Sequence, residues 1–377
     1  MSHLINQSGN EFKLVLTGGG TAGHVWPHFA LVDDPTSSLG KLAAQGQLKV
    51  FYLGSVSGME REIVENSGKN WTYKGIQTGK LRRYFSLQNF SDPFRIILGF
   101  FQAFFFLNRI KADVVFSKGG FVSAPVVWAA WLNRIPVVIH ESDATPALAT
   151  MLTLPFAQKA LIAFAETAKK LPPRFRDKII HIGLPIRKSL FLESRAKAIA
   201  HFGLAHDKKT LLVFGGSLGA LELNKRIAKA VPILAQKYNI IHIVGKGKSI
   251  ELNAGPHYKQ FEFLSDEMSL VYACSDAAIC RAGASSIFEL AAARIPMILV
   301  PLGLHQSRGD QIINARLFEE RGWAVSTKEE DFTEERIIAL TEEIFAALPE
   351  RKNALLSAPS FDCAQKVGEL LLSLRTK

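Results

Sequence analysis

The chain has 377 residues, of which 48% are hydrophobic and 21% charged. That is too apolar for disorder, and at ~150 residues per domain it is enough for two or three cores. A net charge of +11 points toward acidic partners such as phosphorylated substrates or an anionic membrane, and Cys274, Cys280 and Cys363 lack the even count or CxxC spacing of a disulfide framework or zinc site.

The first residues carry no basic stretch followed by a long apolar core, so no signal peptide is expected and a reducing cytoplasm is. The apolar runs predict strands at 12–17, 48–53, 113–117, 136–140, 160–164 and 178–182. A second series follows at 210–214, 239–244, 259–264, 276–280 and 296–300. Helix-length segments separate most of them. Continuous Val/Ile/Leu runs read as parallel strands covered on both faces. The expected class is therefore α/β, with doubly wound sheets.

The pattern of strand, glycine-rich loop and helix occurs twice, at Leu14–His24 (LVLTGGGTAGH) and Leu211–Ala220 (LLVFGGSLGA). Two such turns imply two Rossmann-like units, with a boundary in 181–190 (HIGLPIRKSL). The expected division is 1–186, joined by a C-terminal helix over 360–377, and 187–359.

Gly18, Gly20 and Gly23 match GxGxxG, but the second strand ends at Leu53-Gly54-Ser55 without the acid that would hold a dinucleotide's ribose. What remains is a backbone turn and a helix start suited to a negatively charged ligand, with His24 beside it. Residues 215–219 also read as GxSxG, the nucleophile elbow of hydrolases, for which Asp276 and His305 are the available partners. That reading leaves the first loop unexplained. In a transferase, Ser217 holds phosphate oxygens instead.

In CRAGASSIFELAAARIP (280–296), a strand ends at a small-residue turn, Ala282–Ser286, that opens a helix. Free first-turn amides and the Ser285 and Ser286 hydroxyls suit a diphosphate, and Glu289 suits two ribose hydroxyls. Gln311 and Asn314 lie three apart on a predicted helix, and their amides suit sugar hydroxyls. No DxD and no metal-spaced cluster occurs, so a leaving diphosphate must be stabilised by helix dipoles and by cations such as Arg187.

Residues 80–111 hold six basic side chains (Lys80, Arg82, Arg83, Arg95, Arg109, Lys111) and one acid, Asp92, interleaved with eight phenylalanines. The segment 94–110 is too short and too charged for a membrane span, and reads instead as a surface that lies on an anionic bilayer. No nucleic-acid recognition module accompanies the charge.

Taken together, LTGGGTAGHVWP (16–27), GKLRR (79–83), SKGGFVSAP (117–125), IPVVIHESD (135–143), GLPIR (183–187), FGGSLGA (214–220), EFLSDEM (262–268), the 280–296 segment and DQIINA resemble the MurG family, in family order and over the full length. The resemblance implies a GT-B fold, with two Rossmann-like domains facing a central cleft. It implies an inverting transfer of GlcNAc from UDP-GlcNAc to the MurNAc 4-hydroxyl of undecaprenyl-diphosphate-MurNAc-pentapeptide, in peptidoglycan synthesis and so in cell shape and division. UDP-GlcNAc is the donor substrate, and no cofactor or metal is expected. The expected place is the cytoplasmic face of the inner membrane, as a peripheral protein with possible partners in cell-wall synthesis.

By matching position, Thr21, Ala22 and Gly23 face substrate. Arg187 and Ser217 hold nucleotide or phosphates, and Leu264 touches uracil. Ala284, Ser285, Ser286, Ile287 and Phe288 form the diphosphate turn. Glu289 binds ribose, Gln311 and Asn314 bind GlcNAc, and Asp143 contacts donor or acceptor. Gly79, Lys80, Arg82 and Arg83 line the acceptor and membrane side. His24 is the first candidate for the base and Glu141 the second. The chain departs from the family at Ala22 (usually Gly), Leu218 (usually Gln), Asp143 (commonly Asn) and in GLHQSRG before Gln311. The alternatives are a UDP-sugar transferase acting on another lipid, such as diacylglycerol, and a non-catalytic nucleotide-sugar-binding protein.

Overall fold

The continuous Val/Ile/Leu runs become parallel strands buried on both faces. The computed structural model describes residues 11–79, 88–216, 219–304, 307, 309–358 and 362–375. The first sheet contains β1 (Phe12–Thr17), β2 (Leu48–Ser55), β3 (Thr72–Ile76), β4 (Val114–Ser117), β5 (Val137–Glu141), β6 (Lys159–Ile162) and β7 (Ile179–His181). Their order is β3-β2-β1-β4-β5-β6-β7, parallel throughout. The second contains β8 (Thr210–Phe214), β9 (Asn239–Ile243), β10 (Tyr258–Phe261), β11 (Ala277–Cys280), β12 (Met297–Leu299) and β13 (Ala324–Ser326). Their order is β10-β9-β8-β11-β12-β13, again parallel.

The edge strands β3 and β13 were not expected. In each sheet the chain winds outward and then returns to the other side of its first strand. The reversals lie between β1 and β4 and between β8 and β11, and ligands of such sheets bind outside the carboxyl ends of the strands at these points.

The chain forms two compact units, Met1–Arg187 with Asp362–Lys377, and Lys188–Phe361. In the first, one sheet face packs against helices Gln88–Ile110 and Ser123–Leu132, through Ala103, Leu107 and Val126. The other face meets helices Trp26–Asp33 and Cys363–Ser373, through Phe29, Val367 and Leu371. Val367 and Leu371 are fully buried, and each such side chain contributes roughly 1.5–3 kcal/mol. In the second unit, Ile227 and Leu234 on helix Leu221–Lys237 and Ile337 and Ile344 on helix Glu334–Ala346 cover the sheet.

Helix Gln88–Ile110 is long and apolar enough, from Asp92 on, to cross a membrane by length and composition alone. Its Ala103 and Leu107 are nevertheless locked into the first unit's core. At the end of β3 it crosses close to the chain: a Cβ on Gly99 would lie 1.9 Å from the Gln77 carbonyl oxygen. Its outer face is unusual. Phe94, Ile97, Leu98, Phe101 and Phe105 form an exposed stripe at helical spacing, with Phe94 75% and Phe105 67% exposed.

Candidate functional site

After β1 the chain turns through Gly18–Gly20 into a short 3-10 helix, Ala22–His24, and then helix Trp26–Asp33. The turn is clamped at each step. The Tyr52 hydroxyl donates to the Gly18 carbonyl at 2.8 Å. His24 Nδ1 meets the Gly19 carbonyl at 2.8 Å. The Gly20 N–H donates to Glu60 Oε2 at 3.4 Å, while Glu60 Oε1 accepts from the Ser55 N–H at 3.0 Å. A carbonyl only accepts, so Nδ1 carries the proton, and the neutral ring has its lone pair on Nε2. Thr21 is exposed, Gly23 is half-buried, and the Ala22 methyl is buried.

A second glycine turn follows β4. Gly120 has φ +82°, and a Cβ there would lie 2.2 Å from the Gly19 carbonyl oxygen, so the two turns pack back to back and only glycine fits. Beneath them Lys118 is fully buried. Its Nζ donates to Ser142 Oγ at 2.7 Å and to His140 Nδ1 at 2.5 Å. His140 Nε2 in turn donates to the Gly183 carbonyl at 2.8 Å. Burial pushes the Lys118 ammonium down to about 7, opposed by the carboxylates of Glu141 and Asp143. Burial, and then the Lys118 charge, hold both His140 and His28 well below the ordinary imidazole value. Tyr52 and Glu60 lie outside the motifs read from the sequence, and Lys118 and His140, which lie within them, were given no role there.

Glu141, the second candidate base, is occupied. Its Oε1 accepts from the Asp143 N–H at 3.0 Å. Its Oε2 accepts from the Ala147 N–H at 2.8 Å and the Thr150 hydroxyl at 2.6 Å. A buried carboxylate with three donors holds the 141–150 loop. Asp143 caps the same turn, its carbonyl accepting from Thr167 Oγ1 at 3.1 Å.

Arg187 lies over Trp26, its Cζ 4.2 Å from the ring centroid, with a buried Nε that has no hydrogen-bond partner. Cation–π contact orients the guanidinium without using its N–H groups. Gly79 is buried, and a Cβ there would lie 2.6 Å from the Asp92 carbonyl oxygen. Lys80, Arg82, Arg83, Ser217 and Leu218 lie outside the described residues.

In the second unit, helix Ala284–Ala292 starts after β11. Its N-cap, Gly283, offers no side chain, and a Cβ on it would meet nothing within 4 Å. The helix start therefore opens onto free space, with Ser285 and Ser286 half-buried at its first turn. Arg281 is buried below, where Nη1 donates to the Val300 carbonyl at 3.0 Å and Nη2 pairs with Glu329 at 2.5 Å. Glu289 accepts from the Tyr272 hydroxyl on Oε2 at 2.8 Å. Leu264 is half-buried, next to the exposed ring of Phe263.

Several of the expected contact residues are engaged within the chain. Asn314 is fully buried and its Nδ2 donates to the Ala282 carbonyl at 3.1 Å, so it grips the small-residue turn. Ile287 and Phe288 turn their side chains into the core, where Phe288 packs edge-on against Phe318 with centroids 5.5 Å apart. The Ile287 N–H bonds the Gly283 carbonyl, so Ala284, Ser285 and Ser286 are left to supply the turn's amides. Gln311 is half-buried, its Oε1 accepting from the Leu302 N–H at 3.1 Å.

The hydrolase alternative fails on topology. Asp276 immediately precedes β11, at the amino end of the sheet, and its Oδ2 accepts from the Thr210 N–H and Arg195 Nη2, both at 2.9 Å. The GxSxG turn follows β8 at the opposite, carboxyl end. His305 lies outside the described residues. Among the described residues, no group of three or more His, Cys, Asp or Glu is placed to hold a metal ion.

The model of the glycosyltransferase family 28 N-terminal domain matches residues 14–162, and that of the family 28 C-terminal domain matches residues 210–361. Two similar relatives are named UDP-N-acetylglucosamine–N-acetylmuramyl-(pentapeptide) pyrophosphoryl-undecaprenol N-acetylglucosamine transferase. One, from Lachnospira eligens, is 45% identical over 89% of this chain and 91% of its own length. The other, number 2 of Bacillus cereus, is 42% identical over 88% and 91%. Among solved structures, Acinetobacter baumannii MurG is similar at 25% identity and a TM-score of 0.69, over 96% of this chain and 99% of that one. S. aureus MnaA with UDP shares the fold alone, at 12% identity and a TM-score of 0.67, over 97% and 98%.

Proposed function

The chain belongs to glycosyltransferase family 28, and within it to the MurG transferases, and on that footing we propose that it moves N-acetylglucosamine from UDP-N-acetylglucosamine to the 4-hydroxyl of N-acetylmuramic acid on undecaprenyl-diphosphate-MurNAc-pentapeptide. The observation that carries this reading is the match to relatives so named across both units, at 42–45% identity.

In this reading the reaction is one inverting displacement. His24 Nε2 takes the proton of the acceptor hydroxyl as that oxygen attacks the anomeric carbon. The new C–O bond forms while the bond to the diphosphate breaks, and UDP leaves with the electron pair. The Gly19 carbonyl holds the imidazole in the tautomer the step needs. Amides at the start of helix Ala284–Ala292 receive the diphosphate, where the helix dipole favours its charge. Glu289 takes the ribose hydroxyls.

In this reading the acceptor's lipid carrier puts the work at a membrane, and the soluble nucleotide-sugar donor puts it on the cytoplasmic face. Support comes from the exposed stripe of Phe94, Ile97, Leu98, Phe101 and Phe105, flanked by exposed Arg95, Arg109 and Lys111. A stripe of this kind enters the headgroup boundary while the cations meet anionic lipid.

The test is transfer of labelled GlcNAc from UDP-GlcNAc to a short-chain lipid-diphosphate MurNAc-pentapeptide without added metal. Product is expected. No product from a protein that still binds UDP-GlcNAc would reject this acceptor and turn attention to diacylglycerol and other lipids.

A further inference from the structure

A carboxylate that binds the two hydroxyls of a ribose must present both oxygens in one plane. Glutamate has several side-chain torsions, and Glu289 is half-exposed within helix Ala284–Ala292, so its plane must be held by a neighbour. Here it is fixed from a neighbouring helix. Tyr272, on helix Met268–Cys274, is almost fully buried, and its hydroxyl donates to Glu289 Oε2 at 2.8 Å. The phenol is held from behind by Phe191, whose ring lies nearly parallel to it (16°) with centroids 6.2 Å apart. A rigid, buried ring carries its hydroxyl to one place. A hydrogen bond to one carboxylate oxygen from a fixed donor sets the orientation of the other.

We propose that Tyr272 is a positioning residue for the donor nucleotide, holding Glu289 in the orientation that accepts the ribose hydroxyls and so helping to select a ribonucleotide over a deoxyribonucleotide. The proposal rests on the assignment of Glu289 to the ribose. Tyr272 acts through Glu289 and touches neither the sugar being transferred nor the acceptor.

The effect should appear in donor binding. Immobilising a long side chain at the moment of binding costs roughly three- to tenfold in affinity, and a side chain already held avoids that cost. Tyr272→Phe keeps the ring and removes only the donor. It should weaken UDP binding roughly three- to tenfold and raise the KM for UDP-GlcNAc by a similar factor, with kcat changed less than about threefold.

The decisive experiment is isothermal titration of the full chain with UDP and with 2′-deoxy-UDP, for wild type, Tyr272→Phe, Glu289→Gln and the double variant. The wild type should prefer UDP, Tyr272→Phe should lose a large part of that preference, and in the Glu289→Gln background the tyrosine change should add almost nothing. Phe191→Leu, which keeps the hydroxyl but frees the ring, should shift the preference in the same direction by less. If Glu289→Gln erodes the preference and Tyr272→Phe does not, the proposal is wrong while the ribose assignment stands. If neither changes it, the ribose assignment itself fails. Equal losses from Tyr272→Phe in both backgrounds would make Tyr272 a packing residue only.

Discussion

His24 Nδ1 lies 2.8 Å from the carbonyl oxygen of Gly19, and that contact decides which ring nitrogen can take a proton. The same bond secures the glycine turn, so removing the imidazole has two consequences. His24→Ala is expected to lower turnover roughly 10²-fold or more. His24→Asn retains a donor for Gly19 but has no base, and should lose turnover as severely while keeping the thermal midpoint of the wild type. A threefold or smaller loss in either variant, with donor binding unchanged, would take His24 out of the base role.

Glu141 should behave in the opposite way. Its carboxylate accepts three hydrogen bonds inside its own loop. Glu141→Gln sets an NH₂ against one of those donors, which should cost about 1–3 kcal/mol of stability. Turnover per folded molecule should change less than about threefold. A chemical denaturation curve and a kcat measured at a temperature where the variant remains folded separate the two effects. A loss of kcat to the level of His24→Ala would restore Glu141 as a base.

Acid should loosen the second unit through His242. Burial lowers this imidazole from 6.5 to about 4, and its Nδ1 and Nε2 bond Tyr258 and Asn224. As pH falls from 6.5 toward 4 the unfolded chain binds a proton that the folded chain refuses, so stability falls across that window. Between pH 7 and pH 5 the loss from this group is about 2 kcal/mol. Urea midpoints at the two pH values should therefore converge in His242→Gln, which cannot titrate. An equal drop in wild type and variant would count against His242.

Lys118 titrates in a different window. Its folded value of about 7 lies below the ordinary 10.5, so between those values the unfolded chain holds the extra proton. Stability of the wild type should rise with pH from 7 toward 10 relative to Lys118→Met, which fills the same space without a charge. Parallel curves for the two proteins would show that Lys118 stays protonated through this range.

The exposed aromatic stripe makes a separable prediction. Phe94→Glu with Phe105→Glu should abolish sedimentation with anionic vesicles while leaving the thermal midpoint unchanged, because both rings are exposed. Transfer to a short-chain acceptor in solution should persist. Loss of that soluble activity would place the stripe in the acceptor site and not on the lipid.

The central strands were legible because parallel strands buried on both faces need unbroken apolar runs. The edges were not. β3 (TYKGI) alternates in exposure and β13 has three residues. The small-residue turn before Glu289 could be read because only such residues leave a helix start open to a ligand. Helical spacing put Gln311 and Asn314 on one face but gave no sign that Asn314 points inward to Ala282. Lys118 was opaque for a deeper reason. A lysine in a sequence reads as solvent-exposed, and its burial arises only when the ends of β4 and β5 and the Gly183 turn converge on it.

Helix Cys363–Ser373 packs Cys363, Val367 and Leu371 into the first unit, ties Gln365 to Ser38 and is followed by Arg375 paired with Asp113. A segment that follows the whole second unit in sequence is thus one wall of the first unit. During translation the second unit has all its residues while the first still lacks the cover over Phe12 on β1 and Leu39 on helix Ser38–Ala44. A chain cut near residue 361 therefore holds an unfinished first unit whose apolar surface lacks its cover, and should fold less well than the chain that carries the helix.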